Sequence, residues 1–526
     1  MRSYRRLVGM LTPLLLLAWG CNRGQAPSRP LPTSVPRPNI LFVVWDTVRA
    51  DHLSLYGYGR QTTPYLDEWA EQARVFENCT SAGSTTAPAH ASMFTGLLPT
   101  EHNVSYKSGR VDDRLQTLAE LLKAAGYDTY LFAENPQISK PANFTQGFDL
   151  AEHPWSRQYY DEALRIALQK APRDDISTDL SRVLREGKAL AWQIKAAGEL
   201  AQVGTARWLA SRDSDRPFFI FLNYMEAHGP LIPRRSYRER FMTPEGVNAS
   251  YKVDRTWEAA WSYSVGLHSY SPRDIGLTRA TYDAALLELD DLLHDLLHYL
   301  GSRGHLENTV VVLVGDHGEL LGEHHMFDHQ FAVYDQLLRV PLVIHYPPRF
   351  VPGREKRPVM NLDLFPTILA LTGIDPPVKS KAVSLLDPLE HRPRMSEYPA
   401  PLRQALRRLA RARPDFDPKP WARSLRAYYD EPYKFIAGSD GRHELYNLDQ
   451  DPGELNDLIQ RRPEVARRIA ADLQAYVDSL ITIEKTRATE ATEPVDEDHL
   501  RRLEALGYAT SPDDDDEEDS NDSDEP

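Results

Sequence analysis

The chain has 526 residues, 41% hydrophobic and 26% charged, with 39 prolines and 28 glycines. That composition excludes wholesale disorder and a polytopic membrane protein alike, and the length predicts one large domain with smaller pieces, since single cores rarely exceed roughly 250–300 residues. The formal charge of −15 is uneven: residues 511–526 hold ten acids and no base, which reads as a self-repelling tail, and the lack of a basic run argues against a nucleic-acid binder.

Residues 1–20 carry Arg2, Arg5 and Arg6, a short apolar run from Leu7 to Trp19, and Gly20 ahead of Cys21. The run is too short for a stable membrane-spanning helix. The segment resembles a bacterial lipoprotein signal peptide, which implies lipidation of Cys21 and a place in the cell envelope, at the periplasmic or outer-membrane face. An ordinary secretory signal is the alternative. Cys21 and Cys79 are the only cysteines, so a disulfide scaffold is excluded. Residues 21–37, with Pro27, Pro30, Pro32 and Pro36, read as a stiff extended tether.

Asn39 to Trp45 is an almost unbroken apolar run, the pattern of a strand buried on both faces. Tyr127–Ala133, Pro217–Tyr224, Thr309–Val314 and Val340–Tyr346 repeat it, and helical stretches at 115–126, 160–211 and 280–300 fall between them. Alternation of this kind predicts an α/β domain, residues 38–395, with a large, mostly parallel central sheet flanked by helices. From residue 396 the texture changes. Leu425–Leu448 reads as short antiparallel strands with a Ser-Asp-Gly turn, and a helix starts near Pro463. Residues 396–482 are therefore expected to form a small antiparallel-sheet-plus-helix subdomain, and 483–526 a last helix and the acidic tail.

Ligands in open α/β sheets bind beyond the carboxyl ends of the strands. The residues there are Asp46, Asn135, His228, Asp316 and His317, while Thr86 precedes Pro88, which is suited to the first position of a helix. Taken singly, each has a plain structural role: Asp46 and Asp316 as turn formers, His228 as a loop histidine, Thr86 as a helix cap. Together they suit a metal-assisted nucleophilic reaction.

The motifs WDTVRADHLSLYGY, TTAPAHASMFTG, NYMEAHGP and GDHGELLGEH, in that order, resemble the sulfatase family of the alkaline phosphatase superfamily. LLRVPLVI, LDLFPTILALTGI and ELYNLDQDPGELNDL agree further, so the likeness spans roughly residues 37–480. It implies an ester hydrolase in which Asp46, Asp316 and His317 hold one divalent metal together with the oxygen of Thr86. One imidazole among the ligands, and Thr47 where many relatives carry a second acid, favour Mn²⁺ or Zn²⁺ over Ca²⁺, with Mg²⁺ possible. The sequence offers ligands for one metal and no clear second set.

The nucleophile departs from the family pattern. Sulfatases use C-x-P-x-R or S-x-P-x-R, whose Cys or Ser is oxidised to formylglycine; here the run is Thr86-Ala87-Pro88-Ala89-His90. Threonine cannot yield that aldehyde, and Cys79 lacks the proline and arginine. Threonine in this slot resembles phospho-enzyme-forming members of the superfamily, so cleavage of phosphoric or phosphonic esters is expected beside sulfuric ones. The resemblance further implies that His90 sits near the nucleophile, that His228 contacts the substrate or protonates the leaving oxygen, that His329 stands where many members carry a lysine, and that Asn135 and Lys107 bind substrate. Expected substrates are small-molecule, glycan or lipid-head-group esters. The Arg-, Tyr- and Trp-rich stretch 232–280 is read as an irregular insertion, part pocket wall or mere cover. A phosphoethanolamine-type transferase and an inactive binding protein on the same scaffold are the alternatives.

Overall fold

The structure, a computed structural model, describes residues 37–105, 109–170, 195, 197–212, 215–388, 392–481 and 497–506. Its centre is a nine-stranded sheet. Eight strands form its path: β1 (Asn39–Trp45), β2 (Arg74–Thr80), β3 (Asp128–Ala133), β4 (Leu150–Glu152), β5 (Phe218–Tyr224), β6 (Thr309–Gly315), β7 (Arg339–His345) and β8 (Gly353–Glu355). The order is β8-β2-β7-β6-β1-β5-β3-β4, and Val359–Met360 pairs with β2 beside it. β7 pairs antiparallel with both β2 and β6; the other pairings are parallel.

Both faces of the sheet are covered. Leu41, Val43 and Trp45 of β1 enter one core and Ile40, Phe42 and Val44 the other, as the twofold alternation of a strand requires. On the first face lies helix α2 (Pro272–Ser302), whose Leu286, Leu289, Leu293 and Leu297 face the sheet. On the second lies helix α1 (Thr86–Thr95). Burial on both sides explains why these strands read as unbroken apolar runs. Strand β2, RVFENCT, was not foreseen; its mixture of charged, polar and apolar residues lacks that signature.

Three expectations need correction. α1 begins at Thr86, with Thr85 as its N-cap, so Pro88 is the third helical residue and not the first; the first turn tolerates this because its N–H groups have no partner within the helix. The stretch 232–280 is not irregular: it contains the helices Arg235–Arg238, Pro244–Ser250 and Trp257–Ser264 and the start of α2, each of the last three capped by a Thr or Ser hydroxyl. The small four-stranded antiparallel sheet begins at Arg394, ahead of residue 396, running Arg394–Tyr398, Leu425–Asp430, Tyr433–Gly438 and His443–Asn447. The helix Pro463–Asp478 packs on it through Ala466, Ile469 and Leu473. Both sheets belong to one compact unit starting at Arg37. Among the described residues, no helix is long and apolar enough to cross a membrane.

Candidate active site

The strand register builds the site. Trp45 is level with Gly315 of β6 on one side and Tyr224 of β5 on the other. The next residues, Asp46 and Asp316, therefore emerge side by side from adjacent strands, which lie about 4.8 Å apart. Both carboxyl groups are fully buried. Burial, and for Asp46 the neighbouring Asp316 charge, push both up to about 7.

Each carboxylate is aimed by one oxygen. Asp46 Oδ2 accepts from Asn135 Nδ2 (2.9 Å) and Asn223 Nδ2 (3.2 Å). Asp316 Oδ1 accepts from the backbone N–H of Thr47 (3.0 Å) and His317 (2.7 Å). The other oxygens, Asp46 Oδ1 and Asp316 Oδ2, are buried with no hydrogen-bond partner. Thr47 holds a left-handed φ of 58°, costly for a β-branched residue, and the Tyr282 hydroxyl on its carbonyl (2.7 Å) fixes it there.

His317 completes the group. Its Nδ1–H donates to Gly318 O (2.9 Å), so Nε2 keeps its lone pair, and the Thr86 hydroxyl donates to that atom at 3.1 Å. Burial lowers the imidazole to about 3, so the ring is neutral. Ligand atoms of Asp46, Asp316 and His317 lie within 4.8 Å of one another. Two orphaned, buried carboxylate oxygens, a neutral imidazole nitrogen and a hydroxyl fit a divalent cation, which would satisfy all four.

Thr86 stands at the first position of α1, where the positive end of the helix dipole favours negative charge. His90, one turn on, donates Nδ1–H to Thr86 O at 3.0 Å, and its ring meets Phe94 and Phe221. It thus holds the Thr86 backbone, with the same Nδ1 3.6 Å from Asp316 Oδ2. Asn135 is also spent on this centre, with Nδ2 3.4 Å from Thr86 Oγ1 as well as on Asp46. Lys107 and Cys21 lie outside the described residues.

Around His329, which the sequence had singled out, the structure gathers Glu319 and Asp328, which it had not; all three are buried. Asp328 Oδ1 is 2.7 Å and Glu319 Oε2 3.3 Å from His329 Nδ1. Trp261 Nε1 donates to Asp328 Oδ2 at 2.6 Å. Burial opposes a charge on His329, but the two carboxylates prevail and push its pKa well above the ordinary value. Its Nε2 is buried and unpartnered, and its ring lies 4.6 Å from that of His317 and 5.2 Å from that of His228. His228 behaves oppositely: Nδ1–H donates to Gly229 O (2.6 Å), and burial, then the neighbouring His329, hold its pKa well below the usual value. Of the two rings, His329 is the one whose neighbours favour the protonated form. Lys195, also unforeseen, is buried and donates to Pro230 O at 3.0 Å; burial lowers it to about 7 against the pull of Glu226, Asp46 and Glu134.

Gly318 marks how tightly this loop is packed. A Cβ there would stand 2.0 Å from Gln336 O. Gly318→Ala is expected to lower stability by about 1–3 kcal/mol or more and to disturb the His317 ring; thermal melting alongside metal content checks both.

The sulfatase family profile matches residues 38–374, and that of the C-terminal region of N-sulphoglucosamine sulphohydrolase matches 322–482. An N-acetylglucosamine-6-O-sulfatase of Bacteroides thetaiotaomicron is 24% identical over 506 residues, covering 82% of this chain and 84% of that protein. Among solved structures, a phosphonate monoester hydrolase of Agrobacterium radiobacter superposes with a TM-score of 0.63 at 22% identity, covering 84% of this chain and 96% of that one. A structure solved with its substrate D-glucosamine-2-N,6-O-disulfate gives 0.61 at 20% identity, covering 84% and 99%. With the family profile matching residues 38–374, well over half of its length, the chain belongs to the sulfatase family, ester hydrolases of the alkaline phosphatase superfamily.

Proposed function

We propose that the chain is a metal-dependent hydrolase with Thr86 as its nucleophile and phosphoric or phosphonic esters as its preferred substrates. The observation that carries this is the convergence of Thr86 Oγ1 with His317 Nε2 (3.1 Å) beside two unpartnered carboxylate oxygens. Asp46, Asp316, His317 and Thr86 would hold the cation, Mn²⁺ or Zn²⁺ before Mg²⁺ or Ca²⁺, and a bound cation would neutralise the charge developing on the attacked ester.

The chain's own residues do the rest. Thr86 gives up its hydroxyl proton to solvent, Oγ1 forms the new bond to phosphorus, and the bond from phosphorus to the ester oxygen breaks. His329, held by Asp328 and Glu319, takes the place of a lysine: its Nε2–H binds the substrate anion and gives the leaving oxygen its proton. Asn135 and Asn223 keep Asp46 in place, and His90 keeps Thr86 O in place. Water then releases the group from Thr86. Phosphorus is favoured because formylglycine enzymes expel sulfate through a second hydroxyl on the same carbon, which threonine lacks. Similarity to proteins named as a phosphonate monoester hydrolase and as a 6-O-sulfatase agrees with the ester class while leaving both elements in view.

The test is hydrolysis of p-nitrophenyl sulfate, p-nitrophenyl phosphate, bis-p-nitrophenyl phosphate and a phenylphosphonate ester, with Mn²⁺, Zn²⁺, Mg²⁺ or Ca²⁺ loaded in turn. Cleavage confined to the phosphorus esters is expected. Sulfate release as fast as phosphate release would overturn the preference for phosphorus.

We also propose that Cys21 carries a lipid that tethers the enzyme to the cell envelope. The signal-like segment ahead of it supports this reading. A lipid mass persisting in Cys21→Ser would refute it.

A further inference from the structure

Two guanidinium groups flank the segment after His228, and they are used very differently. Arg238 is spent: it donates to Pro233 O, Ser250 Oγ, Thr281 Oγ1 and Leu231 O at 2.8–3.2 Å and lies over the Tyr251 ring at 4.3 Å. Arg255 is not. Its one hydrogen bond among the described residues runs from Nη2 to Leu231 O at a long 3.3 Å. Its Nη1 is shut off from solvent with no partner, and no described carboxylate lies within ion-pair distance of it. Burial, with Arg238 close by, pulls its pKa down to about 9. A guanidinium nonetheless stays charged near neutral pH. Arg255 is half-buried, and a guanidinium whose Nη1 finds neither water nor a partner is costly unless something brings it an anion.

Arg255 lines a cavity with Gly229, Trp257, Tyr270, Glu319 and Asp328. Each wall leads back to the reacting centre. Gly229 follows His228, whose ring meets Trp257 edge-on at 5.6 Å. Glu319 and Asp328 are the residues that hold His329. The cavity measures about 50 Å³, against the roughly 10–15 Å³ that one water needs. That admits a substituent of a few heavy atoms and not a whole ring. The two lining carboxylates are already engaged, Asp328 by Trp261 and His329 and Glu319 by His329, so they leave the guanidinium to another acceptor.

We propose that this cavity is a subsite for a second anionic group on the substrate, a carboxylate or a sulfate- or phosphate-type group, gripped by Arg255 beside the ester that Thr86 attacks. The proposal rests on the hydrolase reading above and adds a substrate class to it: esters that carry another negative charge close to the scissile bond. Arg suits this work because its planar fork donates two parallel hydrogen bonds to such an anion. Trp257 and Tyr270 supply apolar walls that strengthen the contact by excluding water.

The test compares 4-nitrophenyl phosphate with its 3-carboxy and 3-sulfo derivatives, in the full-length protein and in Arg255→Met and Arg255→Lys. The quantity read is the ratio of kcat/KM for each charged ester to that of the plain one. In the unmodified protein the ratio is expected to exceed one. In Arg255→Met it is expected to fall about tenfold to a hundredfold, the range of a charge-assisted hydrogen-bond pair. Arg255→Lys, which keeps the charge without the fork, is expected to fall between. A larger loss for the carboxy or for the sulfo ester names the preferred anion. A ratio unchanged by Arg255→Met overturns the subsite, as does an equal loss on all three esters in a variant that melts normally. Calorimetric binding of the product 5-hydroxy-2-nitrobenzoate separates the two readings. Arg255-dependent binding without turnover keeps the subsite and sinks the hydrolase; turnover with no preference for the charged esters does the reverse.

Discussion

Thr86→Ala is expected to lower kcat by at least about a thousandfold on every ester the enzyme cleaves, because removing a covalent nucleophile ordinarily costs about 10³–10⁶ in rate. The fold should survive the change. Thr86 lies in the first turn of α1, where its hydroxyl donates to His317 Nε2 and supports no long-range packing. Thr86→Ser keeps a hydroxyl at the same place and is expected to retain activity within about tenfold. Rapid quenching of the unmodified enzyme during turnover should yield a covalent adduct on the peptide bearing Thr86, seen by mass spectrometry. An Ala variant that turns over at the normal rate would remove Thr86 from the mechanism. An Ala variant of normal stability that loses only binding would demote it to a metal ligand. The Ser variant guards against misreading, since loss of activity in both variants with a collapsed melting curve would point to folding and not to chemistry.

Much of this centre was legible in the chain because sheet geometry makes it so. Asp46 and Asp316 follow strands buried on both faces, whose unbroken apolar runs announce where each strand stops. His317 and His228 come with them. What stayed hidden depends on neighbours in space. Asn223 is the sixth residue of β5 and sits inside an apolar run; only the register of β5 against β1 puts its amide on Asp46. Glu319 lay within a motif already singled out, yet its meaning needs the turn through Asp328, at a φ of 72°, that folds His329 back on it. Nothing in Phe327-Asp328-His329 alone signals that pairing. His90 lies beside Thr86, with Nδ1 on Thr86 O and 3.6 Å from Asp316 Oδ2, an arrangement that depends on its packing against Phe94 and Phe221. Helix starts misled by two residues at Pro88, because a proline marks the first turn without saying which of its positions it fills. The stretch after His228 resisted reading for a related reason: its helices are too short for a clear 3.6-residue period, and their caps (Thr243, Thr256 and Ser271) are scattered among other polar residues.

Removing the metal is expected to abolish turnover and to make both affinity and stability depend on pH in a defined direction. Without a cation, Asp46 and Asp316 are held up at about 7, chiefly by burial. Below that pH they carry protons, which a metal must expel, so apparent affinity should rise with pH through the range 6–8 and level off above it. The rise is expected to be about tenfold per pH unit for each proton displaced. Stability has the opposite slope. A carboxyl whose pKa is raised on folding favours the folded state only while it is protonated, so the metal-free protein should lose stability as pH climbs from the ordinary carboxylate value near 4 through 7. A cation bound by the two unpartnered oxygens offsets that loss. The gain in Tm on adding Mn²⁺ or Zn²⁺ to chelator-treated protein should therefore be larger at pH 8 than at pH 6. At a thousandfold excess over Kd, binding contributes about 4 kcal/mol. Asp316→Asn removes one charge and one proton, so it should both weaken metal binding and flatten the pH dependence of the metal-free protein. A metal-induced Tm gain that is the same at pH 6 and pH 8, or full metal content in Asp316→Asn, would mean that the paired carboxylates are not the ligands and that their burial serves another purpose.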